Sequence, residues 1–155
     1  MAWRIVKTKY AANAFDGEGA RINGGRWTSI GRPAVYVSST VALATLEMLA
    51  HLASVGPLLS YSLVEVIFPD SLVKSVEVVS LPRNWRQFPA PHELCSIGDT
   101  WLENQESAVL MVPSAIVGFE YNYLLNPVHP DFSRIKIGPQ YPYDLDPRLL
   151  SRRAF

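Results

Sequence analysis

The sequence predicts an α+β fold in which helices flank a bent or split β-sheet. Segments with strand character outnumber helical segments, and the two kinds do not alternate regularly, so a doubly wound parallel sheet is not favoured. The chain has 155 residues, of which 48% are hydrophobic and 18% are charged, a composition typical of one folded domain with one core. Residues 1–155 are therefore predicted to form a single domain.

In the first half of the chain, strands are expected on either side of one helix. Residues 10–25 are rich in Ala, Gly and Asn, which predicts a loop. The run from Ser38 to Thr40 offers N-caps for a helix that continues to about Ser54. Apolar, aromatic and β-branched runs predict four strands, over 3–6, 26–28, 34–38 and 59–68.

In the second half of the chain, one further helix is expected among strands. Residues 92–104 predict that helix, whereas the proline-containing residues 81–91 predict an irregular stretch. The dipeptides Asn126-Pro127 and His129-Pro130 mark a stiff turn. Apolar runs predict three strands, over 73–79, 107–112 and 133–137.

Charge and cysteine content disfavour several classes of protein. Lys plus Arg and Asp plus Glu each number 14, so there is no basic excess and direct nucleic-acid binding is not predicted. Cys95 has no cysteine to pair with, and His and Cys do not recur at ligand spacing, so no metal site is predicted. No apolar run approaches the ~20 residues that span a bilayer, and the N-terminus lacks an apolar signal core. A cytoplasmic protein with no membrane contact is expected.

A carboxylate on an apolar helix face is the most informative single feature. Glu47 follows Leu43 by four residues and precedes Ala50 by three, so the helical pattern places it on the face that also holds Leu46. Burying an ionised carboxylate is costly unless a partner compensates it, which indicates a functional group. Two structural interpretations stay open, namely that Glu47 lies at the edge of a narrow face or pairs with His51.

Two arginines are candidates for binding an anion. Arg26 follows Gly24-Gly25, and glycines let the backbone approach a ligand closely. Arg4 lies within a short apolar strand, where it is either an edge residue with its charge in solvent or an inward-facing group. A guanidinium matches two phosphate oxygens at once, which suits a pyrophosphate.

Three further residues complete the set of candidates. Tyr36 lies mid-strand and is either a packed aromatic or a ring on which a ligand stacks. Ser114 ends a strand without a Ser-His-Asp pattern around it, so a turn or capping role competes with a catalytic hydroxyl, and Asn122 would fix a turn. Taken together, guanidinium, ring and carboxylate suit cleavage of an N-glycosidic bond in a dinucleotide, where an oxocarbenium-like centre attracts negative charge.

Several separated motifs resemble one known family. The matching runs are WRI at the N-terminus, GGRWTSIGRPAVYVSSTVALATLEMLAHL, WLENQESAVLMVPSAIV, NYLLNPVHPDF and DPRLL. They occur in order over essentially the whole chain and resemble the RES-domain family, which is named for an arginine, a glutamate and a serine. The resemblance implies an ADP-ribosyltransferase-like fold that uses NAD⁺ as substrate without a metal. It also implies the toxin of a bacterial toxin–antitoxin pair.

The resemblance also implies a role for each candidate residue. Arg26 and Arg4 would hold the pyrophosphate, and Tyr36 would stack near the nicotinamide. Glu47 would orient the nicotinamide ribose and stabilise positive charge as the C–N bond loosens. Ser114 would position Glu47 or a phosphate and would not act as the nucleophile. Asn122 in NYLLNP is assigned to the pocket by position, while Thr28 stands where many members of the family have Asn.

Three functions remain open at this point. The first is hydrolysis or phosphorolysis of NAD⁺, which would deplete the cell of it. The second is mono-ADP-ribosylation of a host protein, which often needs a further acid, and Glu65, Glu103 and Glu106 are the candidates. The third is a binding-only subunit of a repressor complex.

A partner is expected because an unrestrained NAD⁺-consuming enzyme would kill its host. The resemblance implies an antitoxin with an Xre-like helix-turn-helix region, which performs any DNA binding, and a homodimer of the toxin within the complex. Residues 82–91, with Trp85 and Phe88, form a candidate surface for the partner, although an ordinary packed loop is the alternative.

Overall fold

The centre of the molecule is a seven-stranded mixed sheet. The computed structural model describes residues 1–52 and 60–150. The strands follow the order β4-β5-β6-β2-β1-β3-β7, and every neighbouring pair is antiparallel except β4 with β5. Their bounds are β1 Ala2–Lys7, β2 Val35–Ser38, β3 Tyr61–Ile67, β4 Val73–Ser75, β5 Val109–Pro113, β6 Tyr121–Leu125 and β7 Lys136–Tyr143.

Helices of different lengths surround this sheet. Among the described residues, α2 and α3 are the longest, and short 3₁₀ turns cover Thr8–Asn13, Asp70–Leu72, Val78–Ser80 and Pro130–Arg134. The α-helices are α1 Glu18–Asn23, α2 Val41–His51, α3 His92–Glu103 and α4 Pro147–Leu150.

The sheet divides between β1 and β2. β1 pairs with β3 over six residues, whereas its register with β2 is the single pair Trp3 and Ser38. Beyond that pair, the Arg4 side chain takes the place of a backbone donor, because its Nη1 donates to the Tyr36 carbonyl at 2.6 Å. The predicted split sheet is therefore present, and it divides beside Tyr36.

Two apolar clusters cover the two faces of the sheet. Neighbouring residues of one strand belong to different clusters, as Leu124 and Leu125 do, which follows from the period of two along a strand. The cluster that contains Leu124 also includes Trp101 of α3, and the partly buried Tyr36 packs against it. This is the face on which the candidate site is built.

Some predicted elements are wrong in position or type. Residues 10–25 are not all loop, because a 3₁₀ turn runs to Asn13 and α1 covers Glu18–Asn23. The Asp16 carboxylate accepts from the Glu18 amide just before this helix, and Glu18 and Arg21 form an ion pair within it. Residues 26–28 are not a strand, because the Gly25 amide closes a turn onto the Thr28 carbonyl. The helix predicted to continue to about Ser54 and the strand predicted to start at residue 59 each have one end outside the described residues, at 53–54 and at 59.

The second half contains a similar mixture of confirmed and corrected elements. The strand at 107–112 and the helix at 92–104 are confirmed as β5 and α3. β4 stops at Ser75 and gives way to a 3₁₀ turn, and the predicted strand at 133–137 instead starts at Lys136 and runs to Tyr143. Pro139 and Pro142 are tolerated in β7 because it is an edge strand. Asn122 lies within β6, not in a turn.

Candidate active site

Glu47 is held by two neutral side chains that are distant in sequence, Ser114 just after β5 and Asn122 on β6. Its Oε1 accepts a hydrogen bond from Asn122 Nδ2 at 2.5 Å and another from Ser114 Oγ at 3.1 Å. Both donors are uncharged, so the carboxylate is oriented while its negative charge is not cancelled. His51 bonds the Glu47 backbone carbonyl at 2.7 Å and not the carboxylate, so pairing with His51 does not explain this residue.

The face of α2 that carries Glu47 differs from the predicted one. Leu46 and Ala50 are exposed, and the helix buries Leu43 and Ala44 together with Thr45. Glu47 lies one turn beyond Leu43 and Ala44 and is half-buried. The prediction is confirmed for Leu43 and wrong for Leu46 and Ala50, because apolar spacing alone does not show which side of the helix packs against the sheet. The Thr40 hydroxyl caps the helix at its start.

Ser114 is fully buried and acts between a loop and Glu47. Its Oγ accepts hydrogen bonds from the amides of Ile116 and Val117, each at 3.1 Å, and donates its single proton to Glu47. A hydroxyl has one donor and two acceptor positions, so this geometry uses all of them. The arrangement places Ser114 as a support for the carboxylate.

Asn122 is fixed by the strand next to it. It lies opposite Ser38 in the register of β2 and β6, and its Oδ1 accepts from Ser38 Oγ at 2.7 Å. With its oxygen bound, the amide nitrogen is turned toward Glu47. The role of Ser38 could not be predicted from the sequence, where it was interpreted only as a possible helix cap.

Tyr36 presents a hydroxyl that is itself bound by the glycine-containing loop. Its Oη accepts from the Trp27 amide at 3.2 Å and shares a hydrogen bond of 2.9 Å with Thr28 Oγ1. Burial raises the pKa of Tyr36 to about 12, so the phenol stays protonated at neutral pH. A Cβ on Gly25 would lie 2.5 Å from Oη, so this close approach requires glycine.

Arg26 is held by backbone carbonyls and lies within electrostatic reach of Glu47. Its Nη1 donates to the carbonyls of Trp85 at 2.9 Å and Gln87 at 3.0 Å. Burial lowers the pKa of Arg26, while the nearby Glu47 carboxylate and Tyr36 oppose that shift. In the described part of the chain the bonds of this guanidinium all use Nη1, which leaves Nε and Nη2 for a ligand.

Arg4 is hydrogen-bonded to the backbone of Tyr36. Besides its bond to the Tyr36 carbonyl, its Cζ lies 5.8 Å from the centre of the Phe15 ring. Burial lowers the pKa of Arg4 to about 10, with Asp16 opposing the shift, so the group stays charged at neutral pH. Its buried Nε has no partner among the described residues. Direct contact with Glu47 is not observed.

Helix α3 supports the loop that carries Arg26. The Asp99 carboxylate accepts from the Ser29 amide at 2.9 Å, and Gly98 packs so closely that an added Cβ would lie 1.8 Å from the Trp27 carbonyl oxygen. Cys95 Sγ lies 3.6 Å from the Arg26 carbonyl oxygen. Burial raises the pKa of this thiol, with Asp99 adding to the shift, so Cys95 is a packed neutral thiol here. No pattern in the sequence pointed to Gly98 or Asp99.

The acids considered for a transferase lie elsewhere. Glu103 pairs with Arg32, and Glu106 pairs with Lys74. Glu65 lies on β3 opposite Trp3.

Within the candidate partner surface, residues 82–91, the two aromatic residues differ in exposure. Trp85 is buried and belongs to the core cluster, whereas Phe88 is 91% exposed.

A hollow in the surface lies apart from Glu47 and its two donors, Ser114 and Asn122. It has a volume of about 360 Å³, is lined by Trp101, Ile97 and Val76 among others, and shares no residue with that group. Within residues 1–52 and 60–150, no group of three or more His, Cys, Asp or Glu is placed to hold a metal ion. Over the same ranges, no helix is both long and apolar enough to cross a membrane.

Comparison with known proteins gives the family. The model of the RES domain matches residues 1–146. The chain belongs to the RES-domain family. A curated relative from Photorhabdus laumondii, named Toxin Res, is 38% identical to this RES-domain protein over 156 residues, and the alignment covers 99% of each chain. A relative from Sphingobium sp. strain YBL2, named Prs ADP-ribosylating toxin, is 41% identical over 97% of this chain and 96% of its own.

A solved structure shares the fold of this RES-domain protein. It is a chain in the crystal structure of the MbcT–MbcA toxin–antitoxin complex of M. tuberculosis, with a TM-score of 0.69 and 17% identity over 96% of this chain and 85% of that one. The resemblance noted in the sequence is confirmed, and so is the α+β, ADP-ribosyltransferase-like fold class.

Proposed function

We propose that this RES-domain protein is the toxin of a toxin–antitoxin pair and that it breaks the nicotinamide–ribose bond of NAD⁺. The observation that carries the proposal is the oriented carboxylate of Glu47 close to the Arg26 guanidinium. Relatives at 38–41% identity over nearly the full length are named as toxins, which supports the biological role.

The side chains divide the task between binding and charge stabilisation. Arg26 uses its free nitrogens to bind the pyrophosphate, and Arg4, which is hydrogen-bonded to the Tyr36 carbonyl, is a second cation for it. The ring of Tyr36 packs beside the nicotinamide. Glu47 accepts from a ribose hydroxyl and faces the positive charge that grows at the anomeric carbon. Ser114 and Asn122 keep that carboxylate in place.

The bond change follows from this arrangement. As the C–N bond breaks, its electron pair stays on the nicotinamide nitrogen, so the cationic pyridinium ring leaves as neutral nicotinamide. The positive charge passes to the ribosyl carbon, which an acceptor then attacks while losing a proton. Water gives ADP-ribose, phosphate gives its phosphorylated form, and a protein side chain gives ADP-ribosylated protein.

The proposal has two catalytic versions, which differ in the acceptor, and one version without catalysis. Depletion of NAD⁺ through water or phosphate is the first. It is favoured because the three acids considered for activating a protein acceptor are engaged elsewhere: Glu103 pairs with Arg32, Glu106 pairs with Lys74, and Glu65 lies on β3 opposite Trp3. Protein ADP-ribosylation is the second, and it is favoured by the name of the 41% identical relative, Prs ADP-ribosylating toxin. A binding-only subunit is the third, against which the complete set of site residues argues.

Mass spectrometry of the products distinguishes these versions. Purified protein is incubated with NAD⁺ in three arms, namely buffer, buffer with phosphate, and buffer with a bacterial lysate. Free nicotinamide together with ADP-ribose assigns water as the acceptor. Free nicotinamide with phosphorylated ADP-ribose assigns phosphate, and free nicotinamide with a mass increase on a lysate protein assigns protein. Unchanged NAD⁺ in all three arms contradicts the catalytic proposal and leaves binding alone.

The proposed partner is an antitoxin with an Xre-like helix-turn-helix region. The fold match to a chain of a toxin–antitoxin complex supports such a partner. We expect two toxin chains per complex, and a cytoplasmic location follows from the substrate. Light scattering on the complex purified with the antitoxin measures the stoichiometry, and a monomeric toxin in that complex would contradict the expected homodimer.

A further inference from the structure

The two loops beside the proposed site are joined by one arginine. Segment 85–88 provides the carbonyls that hold Arg26, and loop 115–120 follows directly after Ser114. Arg86 belongs to the first of these and reaches the second. Its Nε donates to the Ala115 carbonyl at 3.1 Å and its Nη2 donates to the Ile116 carbonyl at 3.4 Å. Among the described residues, these bonds are the hydrogen bonds between the two loops.

The carbonyls that Arg86 binds belong to the same peptide groups that bind Ser114. The Ala115 carbonyl shares a peptide plane with the Ile116 amide, and the Ile116 carbonyl shares one with the Val117 amide. Both amides donate to Ser114 Oγ at 3.1 Å. Two successive peptide groups are therefore fixed at their oxygen ends by Arg86 and at their nitrogen ends by Ser114.

This arrangement extends to the carboxylate of the proposed site. With both acceptor positions of Ser114 Oγ occupied by the amides, its proton is directed to Glu47 Oε1. A charged donor polarises the peptide groups to which it binds, which strengthens the hydrogen bonds that their N–H groups make. The order of contacts runs from Arg86 through two peptide groups and Ser114 to Glu47.

We infer that Arg86 is a positioning residue that holds the Glu47 carboxylate and the Arg26 guanidinium in a fixed relation. The inference rests on the proposed function, because it assigns both groups to one reaction. Arg86 itself is exposed and contacts none of the groups assigned to the substrate. Nothing in the motifs of the sequence pointed to it, since its role depends on backbone carbonyls 29 and 30 residues away.

The test replaces Arg86 by methionine, which keeps the aliphatic stem and removes the donors. Arg83→Met is the matched control, because Arg83 is an exposed arginine of the same stretch that makes no hydrogen bond to loop 115–120. Nicotinamide release from NAD⁺ gives kcat and KM, and NMR gives the hydrogen-exchange rates of the Ile116 and Val117 amides. We expect Arg86→Met to lower kcat about tenfold, since small misplacements of reacting groups have effects of this order.

Hydrogen exchange separates this inference from the proposed function. In Arg86→Met the Ile116 and Val117 amides should exchange about tenfold faster, and in Arg83→Met they should not change. Arg86→Lys can still donate to one carbonyl, so its kcat and its exchange rates should lie between those of wild type and Arg86→Met. This variant replaces Arg86→Met in the test if the methionine variant does not fold. If the two amides exchange in Arg86→Met at the wild-type rate, the positioning role is overturned. It is also overturned if they exchange faster while the kcat of Arg86→Met equals that of Arg83→Met. A wild-type protein that releases no nicotinamide contradicts the proposed function. In that case the hydrogen-exchange rates still test whether Arg86 holds loop 115–120.

Discussion

At the scale of single residues, the site depends on neutral donors around a carboxylate. Glu47 accepts from a hydroxyl and an amide, neither of which neutralises it, so its charge remains available to a cationic transition state. A lysine in place of Asn122 would hold the carboxylate equally well and would cancel that charge. The choice of residue types therefore fits charge stabilisation better than it fits structural anchoring.

Removing the Ser114 hydroxyl should weaken catalysis more than folding. Ser114→Ala leaves Glu47 with one donor and leaves the Ile116 and Val117 amides without their acceptor. We expect kcat to fall about 10- to 100-fold with a smaller change in KM, and unfolding free energy to fall by about 1–3 kcal/mol. Steady-state assays and urea denaturation measure the two effects, and a kcat equal to that of wild type would contradict the assigned role.

Gly25 should be intolerant of a side chain because of Tyr36. In Gly25→Ala the new Cβ would lie 2.5 Å from the phenol oxygen, so the loop or the ring must move, at a cost of about 1–3 kcal/mol. Gly19→Ala is the control, since no atom lies within 4 Å of its added Cβ and it is in a helix. The control should be neutral or stabilising by about 1 kcal/mol. Thermal unfolding of both variants gives the comparison, and equal midpoints would contradict the packing described.

Tyr36 should also affect stability at high pH. Its pKa is about 12 in the folded protein and near 10 when unfolded, so its contribution is fully present below pH 10 and is lost as the pH rises toward 12. In Tyr36→Phe the unfolding free energy should therefore fall less steeply over that range than in wild type. Denaturation at a series of pH values tests this, and parallel curves would show that the phenol is not buried as described.

At the scale of elements, α3 determines where the Arg26 loop lies. Gly98 brings this helix against the Trp27 carbonyl, and Asp99 binds the Ser29 amide. The sequence predicted α3 because helical apolar spacing is a local signal. It did not predict α1 or β6, since α1 has only six residues and no side-chain cap, and β6 was interpreted as a turn. Such short elements are decided by tertiary contacts.

Gly98→Ala should disturb the site through the backbone. An added Cβ 1.8 Å from the Trp27 carbonyl oxygen cannot be accommodated unless the helix and the loop separate. We expect a loss of about 2–4 kcal/mol in unfolding free energy together with weaker NAD⁺ binding, because Arg26 adjoins Trp27. Denaturation and calorimetric titration measure the two effects. Full retention of NAD⁺ affinity would show that α3 does not position Arg26.

At the scale of the whole molecule, the site is assembled from segments far apart in sequence. Ser114 and Asn122 lie 67 and 75 residues from Glu47. Ser114 directly follows β5 and Asn122 lies on β6, so both belong to the same side of the split in the sheet. Periodicity indicated that Glu47 was unusual but could not give these partners, because spacing reports only local neighbours. The family resemblance identified Arg26, Tyr36, Glu47 and Ser114 together. The contributions of Ser38, Arg86 and Gly98 needed coordinates.

The central claim is that the carboxylate of Glu47 stabilises charge while the nicotinamide bond of NAD⁺ breaks. Nicotinamide release by Glu47→Gln tests it most directly, since the substitution keeps the size of the side chain and removes its charge. Glu77→Gln, at an exposed position outside the site, is the control. We predict a kcat lower by about 100-fold or more in Glu47→Gln and unchanged in Glu77→Gln. Release by Glu47→Gln at the wild-type rate would contradict the account.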